Sequence, residues 1–399
     1  MKILIIKIGA LGDVLRTSFI AQGLKDKYRD SSIVWLTAEN ACAMFINNPY
    51  VDMVVGDSEI NRRKLEKETF SLVVNLEEDL VYAKFASSFN CEHLGFYWKD
   101  DRIISSNSAK EWFDMSLLGE KPRNDILKKG SKKTHRQHMA QIINIDYKKY
   151  EPFLRLNKEQ HTISRHFSKR YNIGNRDMVV GLILGGADRW PKQLPVKLSA
   201  QLIDRIYNDF KCKIILFGGL DEEEKNKEII SQAHSPIIDA GVGNDLVEFP
   251  ALVNVCNYVI ATDSFGLHIA RALKKKVIAL IGPTLPCEHD LCKVVVAKSN
   301  CVSCLRKDCE SMKYIDLDET IETLKKYSRS TVAIVITAFK EPKIERAIQA
   351  VLKQKIDHPF KIIISVPDKD TQNIVDTYSN LDKRVMLFAS NPIVCPNVN

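Results

Sequence analysis

Short apolar segments alternate with segments of helical periodicity along most of the chain, and this alternation limits the possible fold more than any other feature. In the first half the apolar segments are 2–8, 32–37, 53–55 and 72–75. In the second half they are 178–184, 213–217, 237–239, 258–261 and 277–281. Strands that alternate with helices predict parallel sheets with crossover helices. We therefore expect an α/β protein in which two such halves, 1–165 and 166–330, face each other across a cleft.

The composition restricts the class of protein. Hydrophobic residues make up 45% and charged residues 27% of the 399 residues, which is typical of a soluble globular protein. Residues 1–7 are too short and too charged for a signal peptide. No apolar run approaches the roughly 20 residues of a membrane span. We therefore expect a cytoplasmic protein whose ten cysteines are reduced.

The net charge of +8 is concentrated in one region. Residues 121–176 contain 15 Lys and Arg against 4 Asp and Glu. Such a region suits an anionic partner, namely a phosphorylated glycan, an anionic membrane surface or nucleic acid. Its few aromatic residues argue against nucleic acid. Solvated helix faces and a linker remain the alternative. We interpret His135 and His138, in the same region, as surface histidines rather than metal ligands.

A glycine turn follows the first predicted strand. Gly9 and Gly12 have the spacing Gly-x-x-Gly, which does not meet the dinucleotide-binding fingerprint. Asp13 follows and should project from the loop or the first helical turn into the crevice at the sheet edge. A carboxylate there can act as a general base. The alternative is an acidic residue that only stabilises the helix N-terminus.

The stretch 261–270 joins the predicted strand 258–261 to a helix. Asp263 and Ser264 stand where N-cap residues belong. A helix that begins there directs free backbone N–H groups and the positive end of its dipole into the crevice, which favours an anion such as a diphosphate. The alternative is an ordinary capped helix of a buried α/β unit.

Three strands of the second half end in glycine turns, at 185–186, 218–219 and 282. In open α/β sheets, ligands bind outside the carboxyl ends of the strands. Asp221 and Glu222 are then placed to accept hydrogen bonds from ribose hydroxyls. Arg189 and Lys192 are placed to neutralise phosphate. The alternative for each turn is a tight strand–helix connection without a ligand.

Three stretches resemble motifs of the glycosyltransferase family 9 heptosyltransferases. The first is Lys7-Ile8-Gly9-Ala10-Leu11-Gly12-Asp13-Val14-Leu15-Arg16-Thr17. The second is Thr262-Asp263-Ser264 with His268 and Ala270, which is similar to the donor-site motif. The third is Asp114-Met115-Ser116-Leu117-Leu118-Gly119. The resemblance covers about residues 1–327 and implies a GT-B fold, with two facing Rossmann-like domains: an acceptor domain at 1–165 and a nucleotide-sugar donor domain at 166–330.

The resemblance also implies an activity, the inverting transfer of a heptose from ADP-heptose onto a lipopolysaccharide core sugar, without a cofactor or catalytic metal. Asp13 matches the proposed general base, and Gly12 and Arg16 fall at the acceptor site. The implied donor site comprises Gly185, Gly186, Lys192, Gly218, Asp221, Glu222, Thr262, Asp263, Ser264, Phe265, Gly266, Leu267 and His268. The implied partners are the nucleotide sugar and an anionic lipid-linked glycan, with peripheral contact to the inner membrane face and no nucleic acid.

Two departures from the family pattern concern the donor sugar. The family often has Gly-Pro-Met after Asp-Ser, where this chain has Phe265-Gly266-Leu267. The family often has Arg-Trp after the lysine, where Gln193-Leu194 follows Lys192. The transferase class is compatible with these changes, but they weaken the identification of the donor sugar as heptose. The alternatives are a GT-B-like nucleotide-sugar epimerase and a non-catalytic module that binds a nucleotide sugar or glycan.

Five of the ten cysteines lie within residues 287–309. Among them, Cys301, Cys304 and Cys309 have a spacing compatible with zinc or another soft metal, because thiolates at short loop spacing can close a tetrahedron. Only one Cys-x-x-Cys unit is present, so free thiols in a loop are the alternative.

The last residues, 331–399, form a third segment. After a closing helix at 316–327 and a linker at 328–330, the pattern predicts a strand at 332–336, a helix at 344–352 and a strand at 360–366. This short α/β segment resembles the opening of a family 2 glycosyltransferase of the GT-A type, in which Glu341 and Asp368 would border a nucleotide site. The later metal and base motifs of such domains are missing, so we expect the segment to be inactive.

Overall fold

The computed structural model describes residues 1–186, 190–328, 332–338, 340–354, 360–382 and 384–388. The predicted phosphate ligand Arg189 therefore lies outside the described residues. The chain divides into two compact units, Met1–Thr323 and Leu324–Asn399, which we describe separately. No helix in the described ranges has the length and apolar character needed to cross a membrane.

The first sheet lies in the N-terminal half of the larger unit. Its strands are β1 (Lys2–Ile6), β2 (Ser32–Thr37), β3 (Met53–Gly56), β4 (Leu72–Asn75), β5 (Glu92–Lys99) and β6 (Arg102–Ser105). They have the order β3-β2-β1-β4-β5-β6, and all neighbours are parallel except β5 and β6. The helices of this half are α1 (Leu11–Thr17), α2 (Phe19–Lys27), α3 (Glu59–Leu65), α4 (Leu80–Ser87), α5 (Lys110–Met115), α6 (Arg123–Gly130) and α7 (His135–Ile142).

Helices cover both faces of this sheet, which explains its continuous apolar strands. In β1, Ile3 and Ile5 pack into one hydrophobic cluster, whereas Leu4 and Ile6 pack into another on the opposite face. Successive side chains of a strand point to opposite faces, so a strand buried on both sides needs an apolar residue at every position. The predicted strands at 2–8, 32–37, 53–55 and 72–75 are confirmed.

The second sheet begins after α8 (Lys158–Arg170), which crosses residue 165 and packs on α11 (Glu248–Val253) through a Ser164 hydroxyl bond to the Ala251 carbonyl. Its strands are β7 (Val179–Ile183), β8 (Lys213–Phe217), β9 (Ile238–Asp239), β10 (Tyr258–Thr262), β11 (Lys276–Ile281) and β12 (Lys293–Val296). The further helices are α9 (Val196–Phe210), α10 (Glu223–Gln232), α12 (Phe265–Ala272) and α13 (Leu317–Ser328).

The second sheet is parallel throughout, with the order β12-β11-β10-β7-β8-β9. If the strands are numbered from β7 as the first strand of this half, the order is 6-5-4-1-2-3, which is the Rossmann order. The direction in which successive strands are added to the sheet reverses between β7 and β10. The first sheet reverses in the same way between β1 and β4. Ligands of such sheets bind outside the strand ends at the reversal. The predicted motifs at Gly9–Asp13, 185–186 and 262–264 directly follow β1, β7 and β10, three of these four strands.

The smaller unit contains β13 (Val332–Thr337), α14 (Ile344–Leu352), β14 (Phe360–Ser365), α15 (Lys369–Leu381) and β15 (Val385–Phe388). The strands form a parallel sheet in the order β13-β14-β15, and Ile348 and Ile364 lie in its core. The predicted strands and helix of this segment are present. Asp368 accepts the backbone N–H of Lys340 at 2.8 Å and caps α15. The resemblance to a family 2 glycosyltransferase stays a prediction.

Candidate functional site

The loop between β1 and α1 is held by one carboxylate. Glu77 Oε1 accepts the backbone N–H groups of Ile8 at 2.7 Å and Gly9 at 3.2 Å, and also the Lys7 ammonium at 2.6 Å. Lys7 in turn donates to the Gly9 carbonyl at 2.6 Å. This loop therefore has a defined shape, and it places Asp13 in the first turn of α1, as predicted.

Asp13 is the candidate base. Its carboxylate lies 2.7 Å from the Arg16 guanidinium, and its side chain keeps 39% of its surface exposed. Burial raises the pKa of Asp13, but the charges of Arg16 and Lys7 outweigh burial, so the pKa lies below its ordinary value. Asp13 is thus ionised at neutral pH and within reach of a ligand.

A segment of the second half, residues 286–290, contacts the first half; we call it the bridge segment. Its Glu288 carboxylate lies 3.5 Å from Arg16 and 3.4 Å from Lys128 of α6. Its Asp290 carboxylate pairs with Arg136 of α7 at 2.6 Å and with Arg271 of α12. Charged pairs thus join the first half to the second half beside Asp13.

The N-terminus of α12 faces this site. Ser264 occupies the N-cap position, as predicted, but its side chain caps no backbone N–H. Its hydroxyl oxygen is buried without a partner among the described residues. An N-terminus with a buried, unused hydroxyl suits an anionic ligand, because the first-turn N–H groups and the helix dipole favour negative charge.

Asp263 pairs with Lys192 and lies beside His289. Lys192 Nζ lies 2.6 Å and His289 Nε2 3.6 Å from its carboxylate oxygens. Burial raises the pKa of Asp263, but His289 and Lys192 together lower it far below its ordinary value. Asp263 is close enough to Asp13 for its charge to raise the pKa of that residue. The two predicted carboxylates, from different sheets, are therefore neighbours.

Buried histidines line the same region. Burial lowers the pKa values of His135, His268 and His289, which are therefore neutral at neutral pH. Both ring nitrogens of His289 lack a hydrogen-bond partner among the described residues, as does Nδ1 of His268. Neutral, unpaired ring nitrogens are available to donate to or accept from a polar ligand. No motif in the sequence points to His289.

The interpretation of His135 and His138 as surface residues is wrong. Both are buried on α7 and pack against the Trp112 ring, with centroid separations of 5.5 and 5.2 Å. A short polar stretch of sequence does not reveal that α7 lies under the bridge segment, whose Asp290 pairs with the neighbouring Arg136.

Glu222 connects two of the predicted glycine turns. Its carboxylate accepts the backbone N–H of Gly186 and, at 2.8 Å, that of Gly219. A side chain at position 185 would overlap this carboxylate, so the close approach requires Gly185. The predicted hydrogen bond from Glu222 to ribose stays a prediction, and the carboxylate already positions both loops. Asp221, next to it, is exposed.

Three residues of the predicted donor site make packing contacts or hydrogen bonds within the protein. Leu267 has no exposed surface and belongs to the hydrophobic core, so its side chain cannot line the site. A β-carbon at Gly266 would lie 2.7 Å from Ile183 Cδ1, which shows that Gly266 allows α12 to pack on β7. Thr262 is buried and donates its hydroxyl hydrogen to the Gly185 carbonyl.

Of the remaining predicted residues, Phe265 is partly buried beside the Phe249 ring. Gly218 lies against Asn226, where a β-carbon would come within 2.5 Å of the amide nitrogen. Gly12 allows α1 to approach α12, because its β-carbon would lie 2.7 Å from His268 Cδ2. The structure thus brings Gly12, Asp13, Arg16, Lys192, Asp263, Ser264 and His268 together.

Two Rossmann-type sheets, with Asp13 after the first strand of one and the uncapped N-terminus of α12 beside it on the other, define an α/β protein of the GT-B type. Residues 116–315, half of the chain, match Glycosyltransferase family 9 (heptosyltransferase). The chain belongs to this family, and the corresponding prediction is confirmed.

Individual relatives agree with this family. "Lipopolysaccharide heptosyltransferase 2" of Escherichia coli (strain K12) is 29% identical over 110 residues, which span 27% of this chain and 30% of that protein. "Lipopolysaccharide heptosyltransferase 1" of Campylobacter coli is 24% identical over 71% of this chain and 84% of its own length. The crystal structure of the family 9 glycosyl transferase from Veillonella parvula DSM 2008 shares the fold, with a TM-score of 0.67, 17% identity, and coverage of 82% of this chain and 96% of that chain.

Proposed function

We propose that the chain is an inverting glycosyltransferase that transfers heptose from ADP-heptose to a sugar of the lipopolysaccharide core. The family match supports heptose as the transferred sugar, and the names of the relatives support lipopolysaccharide as the acceptor. ADP as the nucleotide of the donor follows from the resemblance alone. One observation carries the mechanism: the turn that holds the ionised Asp13 packs against the first turn of α12, since a β-carbon at Gly12 would lie 3.7 Å from the Phe265 Cα, and Asp263, which pairs with Lys192, directly precedes this helix.

In the proposed reaction Asp13 takes the proton of the acceptor hydroxyl. The hydroxyl oxygen forms a bond to the anomeric carbon of the donor, and the bond from that carbon to the diphosphate breaks with inversion. ADP leaves with the bonding electrons. We assign the stabilisation of its growing negative charge to the Lys192 ammonium and the N-terminus of α12, which are preorganised positive groups, and we expect no metal in this step.

The other groups of the site position the substrates. Glu222 holds the turns after β7 and β8, which in a Rossmann-type sheet border the nucleotide. The neutral His268 and His289 can hydrogen-bond uncharged sugar hydroxyls without adding charge to the site. Arg16 orients Asp13 through their ion pair.

The experiment is a measurement of nucleoside diphosphate release. The purified chain is incubated with ADP-heptose, ADP-glucose or UDP-glucose, with and without a heptose-deficient lipopolysaccharide acceptor. Release of ADP from ADP-heptose that depends on the acceptor supports the proposal. Release without acceptor, or conversion of the sugar without release, would instead identify the epimerase alternative, and binding without turnover would identify the non-catalytic module.

We further propose that the chain contacts an anionic membrane surface. Leu117 and Ile126 are 82% and 66% exposed, at the start of the basic region 121–176. Exposed apolar side chains beside cations suit the interface of an anionic bilayer, where the lipid-linked acceptor is anchored. We expect sedimentation with phosphatidylglycerol vesicles, weakened by Leu117→Ser and by salt. Equal sedimentation with phosphatidylcholine vesicles would contradict an electrostatic contribution.

For the segment 331–399 we propose a partial GT-A-like unit that does not take part in heptose transfer. Glu341 and Asp368 lie at one edge of its sheet, where the Glu341 N–H donates to Thr371 and Asp368 caps α15. Glu341→Gln should leave heptose transfer unchanged. A loss of transfer in this variant would show that the segment contributes to the reaction.

A further inference from the structure

Three cysteine side chains converge in the loop that follows β12. The sulfur atoms of Cys301, Cys304 and Cys309 all lie within 4.8 Å of one another, and those of Cys301 and Cys309 are 3.6 Å apart. The three residues are separated by two and four positions in sequence, so the loop folds back on itself to bring them together. Cys42 and Cys91, in contrast, lie outside this group and are half-buried.

The separations fit the coordination of a thiophilic metal. A zinc–sulfur bond is about 2.3 Å, which places two thiolates of a tetrahedron about 3.8 Å apart. The pair Cys301–Cys309 already has this spacing. The other two separations need to shrink by at most about 1 Å, which rotation of the half-buried side chains of Cys301 and Cys304 can provide.

The surroundings favour a bound thiolate. Cys309 is buried, and its sulfur accepts the backbone N–H of Ser311 at 3.4 Å and lies 3.1 Å from the Ser311 hydroxyl. Hydrogen bonds to ligand atoms of this kind orient them and stabilise their negative charge.

We propose that Cys301, Cys304 and Cys309 bind one zinc ion, with the fourth position taken by water or a small ligand. Binding releases the thiol protons to solvent, and no oxidation or reduction occurs. The site is structural, because it is built from a loop of the donor half and contains none of the groups assigned to transfer. The inference goes beyond the proposed function and does not depend on it.

The position of the loop indicates what the ion would stabilise. The backbone N–H groups of Ser303 and Leu305 donate to the carbonyls of Gly282 and Pro283, at 3.1 and 3.0 Å. The Ser303 hydroxyl lies 3.4 Å from the Thr284 carbonyl. Residues 282–284 lead from β11 into the bridge segment. A metal that fixes the cysteine loop therefore fixes the base of the bridge segment, at the edge of the candidate site.

The test measures metal in the full chain, purified without oxygen and without chelators. We expect one zinc per chain by elemental mass spectrometry, and thiolate-to-metal charge-transfer absorption after replacement by Co²⁺. Cys301→Ser combined with Cys304→Ser should reduce both signals at least tenfold. Cys42→Ser and Cys91→Ser are matched controls that should keep them. These variants avoid the buried Cys309, so that loss of metal is not confused with loss of folding, which circular dichroism checks.

Several results would overturn the inference. A wild-type chain without stoichiometric metal and without Co²⁺ charge-transfer absorption would do so, as would a double variant that retains zinc. Stoichiometric iron in place of zinc would overturn the choice of metal. An intact mass that is two hydrogens too low and is restored by reduction would show a disulfide instead, and peptide mapping that joins Cys301 to Cys309 would place it in this cluster. All these measurements omit substrates, so they are independent of the outcome of the transferase assay.

Discussion

The ion pair between Asp263 and Lys192 should contribute measurably to the stability of the larger unit, and Asp263→Asn tests this. The two charged atoms are 2.6 Å apart, and the side chains are 13% and 21% exposed. At an effective dielectric constant of about 20 their attraction is about 6 kcal/mol. Desolvation of both charges offsets much of this. Removal of one partner of a fully buried pair costs about 3–5 kcal/mol, and with this partial exposure we expect about 2 kcal/mol.

A double-mutant cycle isolates the pair. Asp263→Asn, Lys192→Met and the double variant are unfolded in urea, with circular dichroism as the probe. We expect a coupling free energy of about 2 kcal/mol, because each single variant leaves a partly buried polar group without its partner. A coupling below about 0.5 kcal/mol would refute the argument, since it would mean that burial cancels the attraction.

The pH dependence provides a second check on the same pair. Asp263 has a pKa far below its ordinary value in the folded chain, for the reasons given above. Its charge therefore stabilises the fold at pH values above the unfolded pKa of about 3.9, and this contribution is lost as the pH falls through the folded pKa. The difference between wild type and Asp263→Asn should be constant from pH 7 to about pH 5 and shrink in stronger acid. A difference that grows on acidification would contradict the sign.

Four further predictions concern the site. Asp13→Asn should lower kcat by about 10²–10⁴-fold while the Kd for ADP-heptose in calorimetry stays within about twofold, because the base acts only in the transfer step; normal turnover would exclude this role. As the pH is lowered, kcat of the wild type should stay constant until the pH is below the ordinary pKa of aspartate and should then fall, because Arg16 and Lys7 keep Asp13 ionised. Glu222→Gln should weaken donor binding by about tenfold, because it removes the charge that the two glycine turns share; unchanged affinity would refute the positioning role. His289→Leu should lower kcat with little change in thermal unfolding, because leucine has nearly the volume of histidine but lacks both ring nitrogens; an equal loss of stability would indicate a packing role alone.

The sequence predicted the sheets well where strands are buried on both faces. A run such as β1 is apolar at every position and is recognised without a structure. The strand β5 was missed because Glu92–Lys99 mixes charged, aromatic and glycine residues, and it pairs with an antiparallel neighbour, β6, near the sheet edge. The four-residue β12 was also missed.

The candidate site was predicted in part, for a similar reason. Asp13 lies in the first turn of the helix after β1, and Asp263 directly follows β10, at the sheet edges where the rules for parallel sheets place ligands. Leu267 lies in the motif, but the helical repeat turns its side chain into the core. Its assignment to the donor site stays a prediction. The contacts of Glu222 and His289 arise from residues distant in sequence, so no local pattern reveals them.

The contacts of Arg16 limit which substitutions near the candidate site can be made independently of one another. A single guanidinium serves the carboxylate of Asp13 at 2.7 Å and that of Glu288, on the bridge segment, at 3.5 Å. The pKa of Asp13, the proposed base, and the contact between the two halves therefore depend on the same side chain. A substitution at Glu288 that loosens the bridge also leaves Arg16 to Asp13 alone, which lowers the proton affinity of the base. Adaptation to a different acceptor through this contact would then be accompanied by a shift in the working pH range.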